Sequence, residues 1–386
     1  MDPDEHPGED HILIKNATLV VVNAPNNMEF GIDLNSWDIK NNKKYMGIKF
    51  IPPGFRFVHY RVEDRHGGPS FRIGFIHYFE NGEFMVKCWD KSTNEMSADP
   101  VDEDLLVYLR NSLLDLDKIL VPYCFDYIER WERLTDKIDF DVVKRCKPLC
   151  GFIYSAMELV PCSSNDSELS TEEEEEDLKK REESKETPQT RPMKNQIPKL
   201  LPNFKPKAGS ELRLTPLPDK YYPDNTTPEN ITKYNLDYSY AWETVLKEMK
   251  CSAEILGELQ LTFVCVLIGQ NWEAFEQWKK IFSLICGVDS VIPKYRSIFL
   301  EFLWTIEAQL DYIPEDMLVD VIYTENFIYY NLRKFFRNIE FHPGIDQPFK
   351  YTAARCRERI CHMLNWNFGN LQEEDGDEAP VIVSTD

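Results

Sequence analysis

This 386-residue sequence lacks the short motifs that mark the common enzyme classes. A Gly-rich phosphate loop, an HExxH pair, a G-x-S-x-G turn and a C-x-x-C pair are all missing. Their absence argues against a phosphate-loop nucleotidase, a zinc protease, a serine hydrolase and a zinc ribbon, respectively. We predict that the chain is not an enzyme and uses no metal, no cofactor and no small-molecule substrate.

Two features of exported or membrane proteins are missing as well. The first residues are acidic and lack the basic start and apolar core of a signal peptide. The apolar stretch 255–268 is interrupted by Glu258 and Gln260, and it is shorter than the ~20 residues of a membrane span. The ten cysteines are scattered through apolar runs, where they act as small hydrophobes. We therefore expect a reducing compartment and no membrane association.

Basic charge is scarce, and the net charge is −22. Most of the excess lies in three short segments, which carry −5 (residues 1–10), −7 (163–190) and −5 (373–378). The rest of the chain is nearly neutral. Because affinity for a phosphate backbone grows with the number of Lys and Arg contacts, we predict no direct nucleic-acid binding.

The chain is long enough for two domains, since one core usually divides above roughly 250–300 residues. Residues 11–162 show strand-like alternation, for example over 71–79, and Asn81-Gly82 predicts a hairpin turn. Two helices, over 105–120 and 127–138, follow the strands. The sequence predicts a mostly antiparallel β-rich domain that is closed by these helices.

The remainder divides into a linker, a helical domain and a tail. Residues 163–235 are acidic and Pro-rich, which predicts a partly disordered linker, although 207–218 has enough apolar residues to dock on a domain. Residues 236–370 show helical periodicity throughout. The tail 371–386 is acidic and ends in the strand-forming residues Val381, Ile382 and Val383, which are suited to pairing with another protein's sheet edge. The predicted fold class is α+β.

Two motifs of the first domain have the composition of rigid turns. Residues 30–38 place the turn formers Asp33 and Asn35 before the large apolar Trp37, and Pro52-Pro53-Gly54 forms a stiff turn within 47–60. A turn that shapes the domain accounts for both. The alternative is a partner-docking surface to which Asp33, Asn35 and Trp37 contribute.

Two other classes of function compete with a protein-binding role. A hydrolase that uses His59 with Asp33 or Asp64 would need a deep pocket that brings these side chains together. A trafficking adaptor that binds peptides through the helical domain is the second alternative, and the first-domain motifs argue against it.

Six segments stand out from ordinary core patterns: GIDLNSW, GIKFIPPG, FVHY, AGSELR, ITKYNLDYSYAWETVL and LGELQLTFVCVLIGQNWEAFEQWK. In these segments the chain resembles the A-one-cistron splicing factor family, and the resemblance covers both domains and the Val-rich end. It implies an assembly factor of the U-five small nuclear ribonucleoprotein that binds the Prp-eight scaffold through its RNase-H-like and Jab/MPN domains. Such factors delay docking of the Brr-two helicase.

The resemblance also implies a second domain similar to the VHS helical superhelix and a tail that adds a strand to the scaffold. It implies a cytoplasmic protein that enters the nucleus with the assembling particle, where phosphorylation releases it. The family motifs do not cover 163–186. There, Ser170 and Thr171 precede five Glu and Ser163 is followed by an acid three residues later, so these three are candidate phosphorylation sites.

Overall fold

Strands make up most of the regular structure in the first part of the chain. The computed structural model describes residues 16–25, 27–39, 47–62, 71–155, 159–161, 204–206, 209–313 and 327–372. In chain order the strands are β1 (Ala17–Val22), β2 (Met28–Ile32), β3 (Asn35–Ile39), β4 (Gly47–Ile51), β5 (Gly54–Val62), β6 (Ile73–Phe79), β7 (Phe84–Asp90), β8 (Glu95–Met96), β9 (Val121–Pro122), β10 (Ile153–Tyr154), β11 (Leu159–Pro161) and β12 (Phe204–Pro206).

These strands form two five-stranded sheets that pack face to face. The first has the order β8-β7-β1-β4-β9 and the second the order β10-β6-β5-β2-β3, while β11 and β12 pair with each other. Side chains of both sheets, such as Leu19 from β1 and Phe30 from β2, share one buried cluster. β1 is a run of apolar residues because it lies inside its sheet and is covered on both faces.

The pairing corrects one prediction, that of a hairpin across Asn81-Gly82. β6 and β7 do not form a hairpin across Asn81-Gly82, because β6 pairs with β5 and β10 whereas β7 pairs with β1 and β8. The turn therefore carries the chain from one sheet to the other, with Gly82 at a φ of 67°. The domain is mostly antiparallel, as predicted. The second sheet is antiparallel throughout, and the first contains two parallel pairs, β1 with β7 and β4 with β9.

Short helices cover the outer faces of the sandwich. They are α1 (Glu103–Asn111), α2 (Leu113–Leu116), α3 (Ile128–Thr135) and α4 (Phe140–Cys146). The helix predicted over 105–120 is interrupted at Ser112, and a 3₁₀ turn over Asp117–Ile119 follows α2. α1 and α2 cover the first sheet, and α3 and α4 cover the second.

The second part of the described chain is helical. Its helices are α5 (Pro228–Leu236), α6 (Ser239–Lys247), α7 (Glu254–Leu267), α8 (Trp272–Cys286), α9 (Arg296–Leu310), α10 (Phe327–Phe341) and α11 (Gln347–Leu364). The helical periodicity of 236–370 also predicts a helix over 315–321, which lies outside the described residues. Asn271 caps α8 by accepting from the Ala274 amide, as its position predicts. Gln270, three residues after the end of α7, has a positive φ of 53°.

α7 is buried along its length because both domains pack against it. Its residues Leu259 and Phe263 belong to the core of the helical domain, whereas Leu261 and Val264 pack with Phe57 of β5. The two-domain α+β architecture is thus confirmed, and the two domains share a buried junction. None of the helices that the structure describes is both long and apolar enough to cross a bilayer.

Candidate protein-binding surface

A tight hairpin joins β2 to β3 at the first of the two motifs. Asp33 begins its two-residue loop with a φ of 55°, which non-Gly residues rarely adopt. Its carboxylate accepts from the Phe57 amide at 3.0 Å and from the Tyr123 hydroxyl at 2.7 Å. The Arg56 guanidinium lies 3.6 Å from the same carboxylate. These contacts hold a conformation that the backbone alone would not favour.

Arg56 connects the two motifs. Its guanidinium donates to the carbonyls of Pro52 and Pro53, both at 3.2 Å, and to that of Phe55 at 2.9 Å. It also lies over the Tyr123 ring, with Cζ 5.5 Å from the ring centroid. The Pro-Pro turn and the β2–β3 hairpin are therefore held by one buried cation, which agrees with the interpretation of both motifs as turns that shape the domain.

Asp33 is 2% exposed, so its side chain acts within the protein. Burial raises the pKa of this carboxyl to about 7, against the lowering effects of Arg56, the Phe57 amide and Tyr123. The predicted partner-binding residue Asp33 therefore has almost no surface for a partner. It orients the residues that follow it.

His59 lies beside the same hairpin. A Cβ at Gly31 would lie 2.3 Å from the His59 ring, so only glycine fits at that position. Burial, assisted by the positive charge of Arg72, lowers the pKa of His59 to about 3 and keeps the ring neutral. His59 and Asp33 are both buried, and Asp64 lies outside the described residues, so a hydrolase that used them would first have to open the sheet.

Asn35 and Trp37 lie on β3, which is the last strand of its sheet. In the part of the chain that the structure describes, β3 pairs with β2 alone. Trp37 is half-buried and packs on the sandwich core, while Ser36 and Asp38 point outward and are exposed. An edge strand offers unpaired backbone groups to an incoming strand. β3 is therefore the candidate protein-binding edge of the first domain.

The hairpin also contacts the helical domain. Leu34, at its tip, packs against side chains of both the helical core and the junction. Close by, Arg61 donates to the Gln270 side chain at 3.0 Å, and Arg72 donates to the Ile268 carbonyl at 3.0 Å. Asn271 donates to the Tyr154 carbonyl at 2.9 Å. The candidate edge is thus positioned by the contact between the domains.

A second polar cluster surrounds Glu258, near the start of α7. Glu258 is fully buried and accepts from the Thr215 amide at 2.8 Å, the Thr215 hydroxyl at 2.6 Å and the Arg145 guanidinium at 2.7 Å. Leu212 is buried in the junction cluster, and Arg213 donates to the Lys147 carbonyl at 2.7 Å. The predicted docking segment 207–218 thus packs at the junction over its described part. All of α5 but its last residue also falls inside the range predicted as linker.

Several large side chains are exposed on both domains, and the sequence patterns did not predict them as contacts. Exposed aromatic residues on rigid elements are common anchors of protein interfaces. The most exposed are Phe71 (70%), Trp272 (68%), Tyr108 (66%), Tyr351 (65%) and Trp304 (57%). Phe71 and Trp272 continue apolar patterns of buried faces, so only the packing separates these two from their buried neighbours.

The other predicted site residues lie outside the described part of the chain. These are the tail residues Val381, Ile382 and Val383 and the candidate phosphorylation sites Ser163, Ser170 and Thr171. They stay predictions. Among the described residues, no group of three or more His, Cys, Asp and Glu side chains is placed to hold a metal ion.

Two family models match the chain, and together they span both domains. One is described as the AAR2 N-terminal domain and matches residues 15–148; the other is the AAR2 C-terminal repeat region and matches residues 214–369. The first covers the sandwich with its hairpin edge, and the second covers the helical part.

Curated relatives extend the match to nearly the whole chain. The chain is 31% identical to the human protein AAR2 homolog over 385 residues, which is 96% of this chain and 94% of the relative. It is 29% identical to the Caenorhabditis elegans protein AAR2 homolog over 360 residues, 93% of this chain and 96% of the relative. It is 22% identical to the Saccharomyces cerevisiae A1 cistron-splicing factor AAR2 over 385 residues, 95% of this chain and 97% of the relative.

The fold is that of a two-domain α+β protein. The chain belongs to the AAR2 family, in agreement with the resemblance seen in its sequence motifs.

Proposed function

We propose that this chain is a pre-mRNA splicing factor that acts as an assembly chaperone of the U-five small nuclear ribonucleoprotein. It binds the RNase-H-like and Jab/MPN domains of the Prp-eight scaffold, and it thereby delays docking of the Brr-two helicase. The observation that carries the proposal is the family match across both domains, which includes a relative named as an A1 cistron-splicing factor.

The proposed mechanism is removable masking of a docking surface. Such a protein needs a difference in affinity between two of its states and no reaction at a substrate. The shared junction supports this role because it lets the sandwich and the helices approach a partner as one surface. The exposed edge strand β3 supplies backbone groups that a scaffold strand can pair with.

The tail supplies a second contact. Val381 to Val383 add a strand to the scaffold, and Pro380 limits its length because proline cannot donate to a ladder. Two contacts on one chain raise the avidity while each stays weak enough to release. Phosphorylation at Ser163, Ser170 or Thr171 adds roughly −1.5 to −2 charges per site and provides the release signal. The protein works in the cytoplasm and enters the nucleus with the assembling particle.

A direct titration tests the central statement. Purified full-length chain is titrated with the recombinant RNase-H-like and Jab/MPN domains of Prp-eight, and binding is followed by calorimetry. We expect a saturable complex and weaker binding by a chain truncated after Leu371. No binding to either domain would refute the proposal, and unchanged affinity after truncation would remove the tail from it.

The edge strand has a matched pair of variants. In a two-residue hairpin the residue pairs alternate in hydrogen bonding, so we expect the Ser36 amide to point away from β2. Ser36→Pro removes that donor, whereas Ser36→Ala keeps it. We expect only the proline variant to lose scaffold affinity. Equal binding by both variants would show that β3 is not the contact.

The trafficking-adaptor alternative accounts for the helical domain only. The match to the AAR2 N-terminal domain covers residues 15–148, which such an adaptor would not require. No described contact favours it over the splicing role.

A further inference from the structure

An open groove runs beside α10 on the helical domain, away from the junction. Its volume is about 740 Å³. Residues of α10 and of the segments around α5 and α8 line it, among them Tyr238, Asp289, Arg333, Lys334 and Arg337. We call it the α10 groove. No predicted site and no contact of the proposed function lies in it.

The α10 groove is basic in a chain of net charge −22. Among the described residues that line it are three cations, Arg333, Lys334 and Arg337, and one acid, Asp289. Arg337 is exposed, and within the described part of the chain it makes neither a hydrogen bond nor an ion pair. Lys334 lies over the Tyr238 ring at 4.1 Å. Grouped cations beside aromatic side chains suit a carboxylate-rich segment.

The C-terminal segment of the described chain contacts Arg333, one of the residues that line this groove. The Arg333 guanidinium donates to the Phe368 carbonyl and, at 3.1 Å, to the Asn370 carbonyl. Leu371 is buried in the helical core, so the chain is anchored next to Arg333 where the tail begins. Glu373 follows Asn370 by three residues, a span of up to roughly 10 Å when extended. Arg333 and Arg337 lie one helical turn apart, about 6 Å.

We propose that the acidic tail segment 373–378 folds back across the α10 groove and pairs its carboxylates with Arg337 and Lys334. The segment carries five acids and no base, so its charge is complementary to that of the groove. Its attachment beside Arg333 gives it a high effective concentration at the groove. The contact is ionic and reversible, and it keeps the strand-forming end close to the helical domain until a partner displaces it.

Limited proteolysis of the full-length chain with a glutamyl endopeptidase tests the fold-back. The enzyme cleaves after glutamates of the tail and of the acidic segment 163–190, which serves as an internal reference. Arg337→Glu should raise the initial rate of tail cleavage about five-fold, because attraction becomes repulsion. The reference rate should stay unchanged. Arg355→Glu, an equal charge change at an exposed position of α11 outside the groove, should alter neither rate.

The outcomes distinguish three possible occupants of the α10 groove: the tail, the segment 163–190 and an external partner. Faster tail cleavage in Arg337→Glu alone, reproduced for the parent chain in 0.5 M salt, supports the proposal. Faster cleavage in 163–190 would assign the groove to that segment and overturn it. Equal tail rates in all three proteins would leave the groove for an external acidic partner and also overturn it. Circular dichroism verifies that each variant is folded. The assay contains no scaffold, so its failure is distinguishable from a failure of the proposed function.

Discussion

The core of the helical domain and the junction between the domains are held together in different ways. Aromatic rings fill the helical core, for example Trp278 stacked on Phe282 with centroids 5.2 Å apart. The junction adds directed polar contacts to its apolar cluster, such as those of the buried Glu258. Apolar packing tolerates many arrangements, whereas a buried carboxylate requires particular donors. The junction therefore fixes one relative placement of the two domains.

The largest effect is expected in the helical core. Phe302 is fully buried between Phe282 and Phe335, with centroid distances of 6.1 and 5.2 Å. Phe302→Ala should lower the free energy of unfolding by about 4 kcal/mol, measured by chemical denaturation. Trp304→Ala is the matched control, because this neighbouring ring is 57% exposed, and it should cost under about 1 kcal/mol. Similar losses in both variants would contradict the described packing.

At the junction, Glu258→Ala should cost about 3 kcal/mol because it leaves the Thr215 donors and the Arg145 guanidinium without their acceptor. Glu258→Gln keeps an acceptor oxygen and should cost less. Denaturation curves recorded by near-ultraviolet circular dichroism would measure both. If the two variants lost equal stability, the hydrogen bonds would not be the reason that the junction holds.

Acidification should reveal two opposing groups beside the hairpin. The pKa of His59 falls from 6.5 to about 3 on folding. Its contribution to the free energy of unfolding is therefore complete above pH 6.5 and is lost as the pH falls towards 3. The pKa of Asp33 rises from 3.8 to about 7 on folding. Its contribution to the free energy of unfolding is therefore greatest below pH 3.8 and is lost as the pH rises through 7. Between pH 3.8 and pH 6.5, the two groups therefore change the free energy of unfolding in opposite directions as the pH changes.

Single variants separate the two slopes. On acidification from pH 6.5 to pH 5, the free energy of unfolding of Asp33→Asn should fall by about 2 kcal/mol more than that of the parent chain. In this variant only His59 binds a proton in that range. His59→Leu should gain stability on acidification relative to the parent. Urea denaturation at both pH values measures the difference. Parallel pH dependence in all three proteins would mean that neither group is buried in the way described.

The smallest effect concerns the close approach of α7 to the first domain. Alanine in place of glycine inside a helix usually stabilises by roughly 1 kcal/mol. A Cβ at Gly257, however, would lie 2.5 Å from the Lys137 carbonyl oxygen. Gly257→Ala should therefore destabilise by about 1 kcal/mol net, as seen in the thermal midpoint. A stabilised variant would show that the domains are not in close contact at this helix.

Much of the helical domain was predictable from local patterns. The apolar period predicts α8 and α9 to within a residue of their observed bounds, and Asn271 predicts the cap of α8. The pairing of strands was not predictable in the same way. Asn81-Gly82 carries the signal of a hairpin turn, but β6 and β7 belong to different sheets. Strand partners depend on which edges are already occupied, and no local window contains that information.

The candidate site was likewise predictable only in part. The motif around Asp33 identifies a tight turn, and the structure places Asn35 and Trp37 on a sheet edge after it. Arg56 was detectable only as a cation between two apolar strand residues, and Tyr123, 90 residues after Asp33, carried no local signal. The partners of a buried charge come from distant parts of the chain, so sequence patterns cannot name them.

By itself, the sequence determined the two-domain α+β class, the family and the concentration of acidic charge in three short segments, because these follow from composition, local periodicity and motifs. Only the tertiary structure decided which sheet each strand joins, which edge stays exposed, how α7 joins the domains and which cations line the α10 groove. Those features depend on contacts between residues far apart in the chain, and each is selected by packing and by the need to pair buried polar groups.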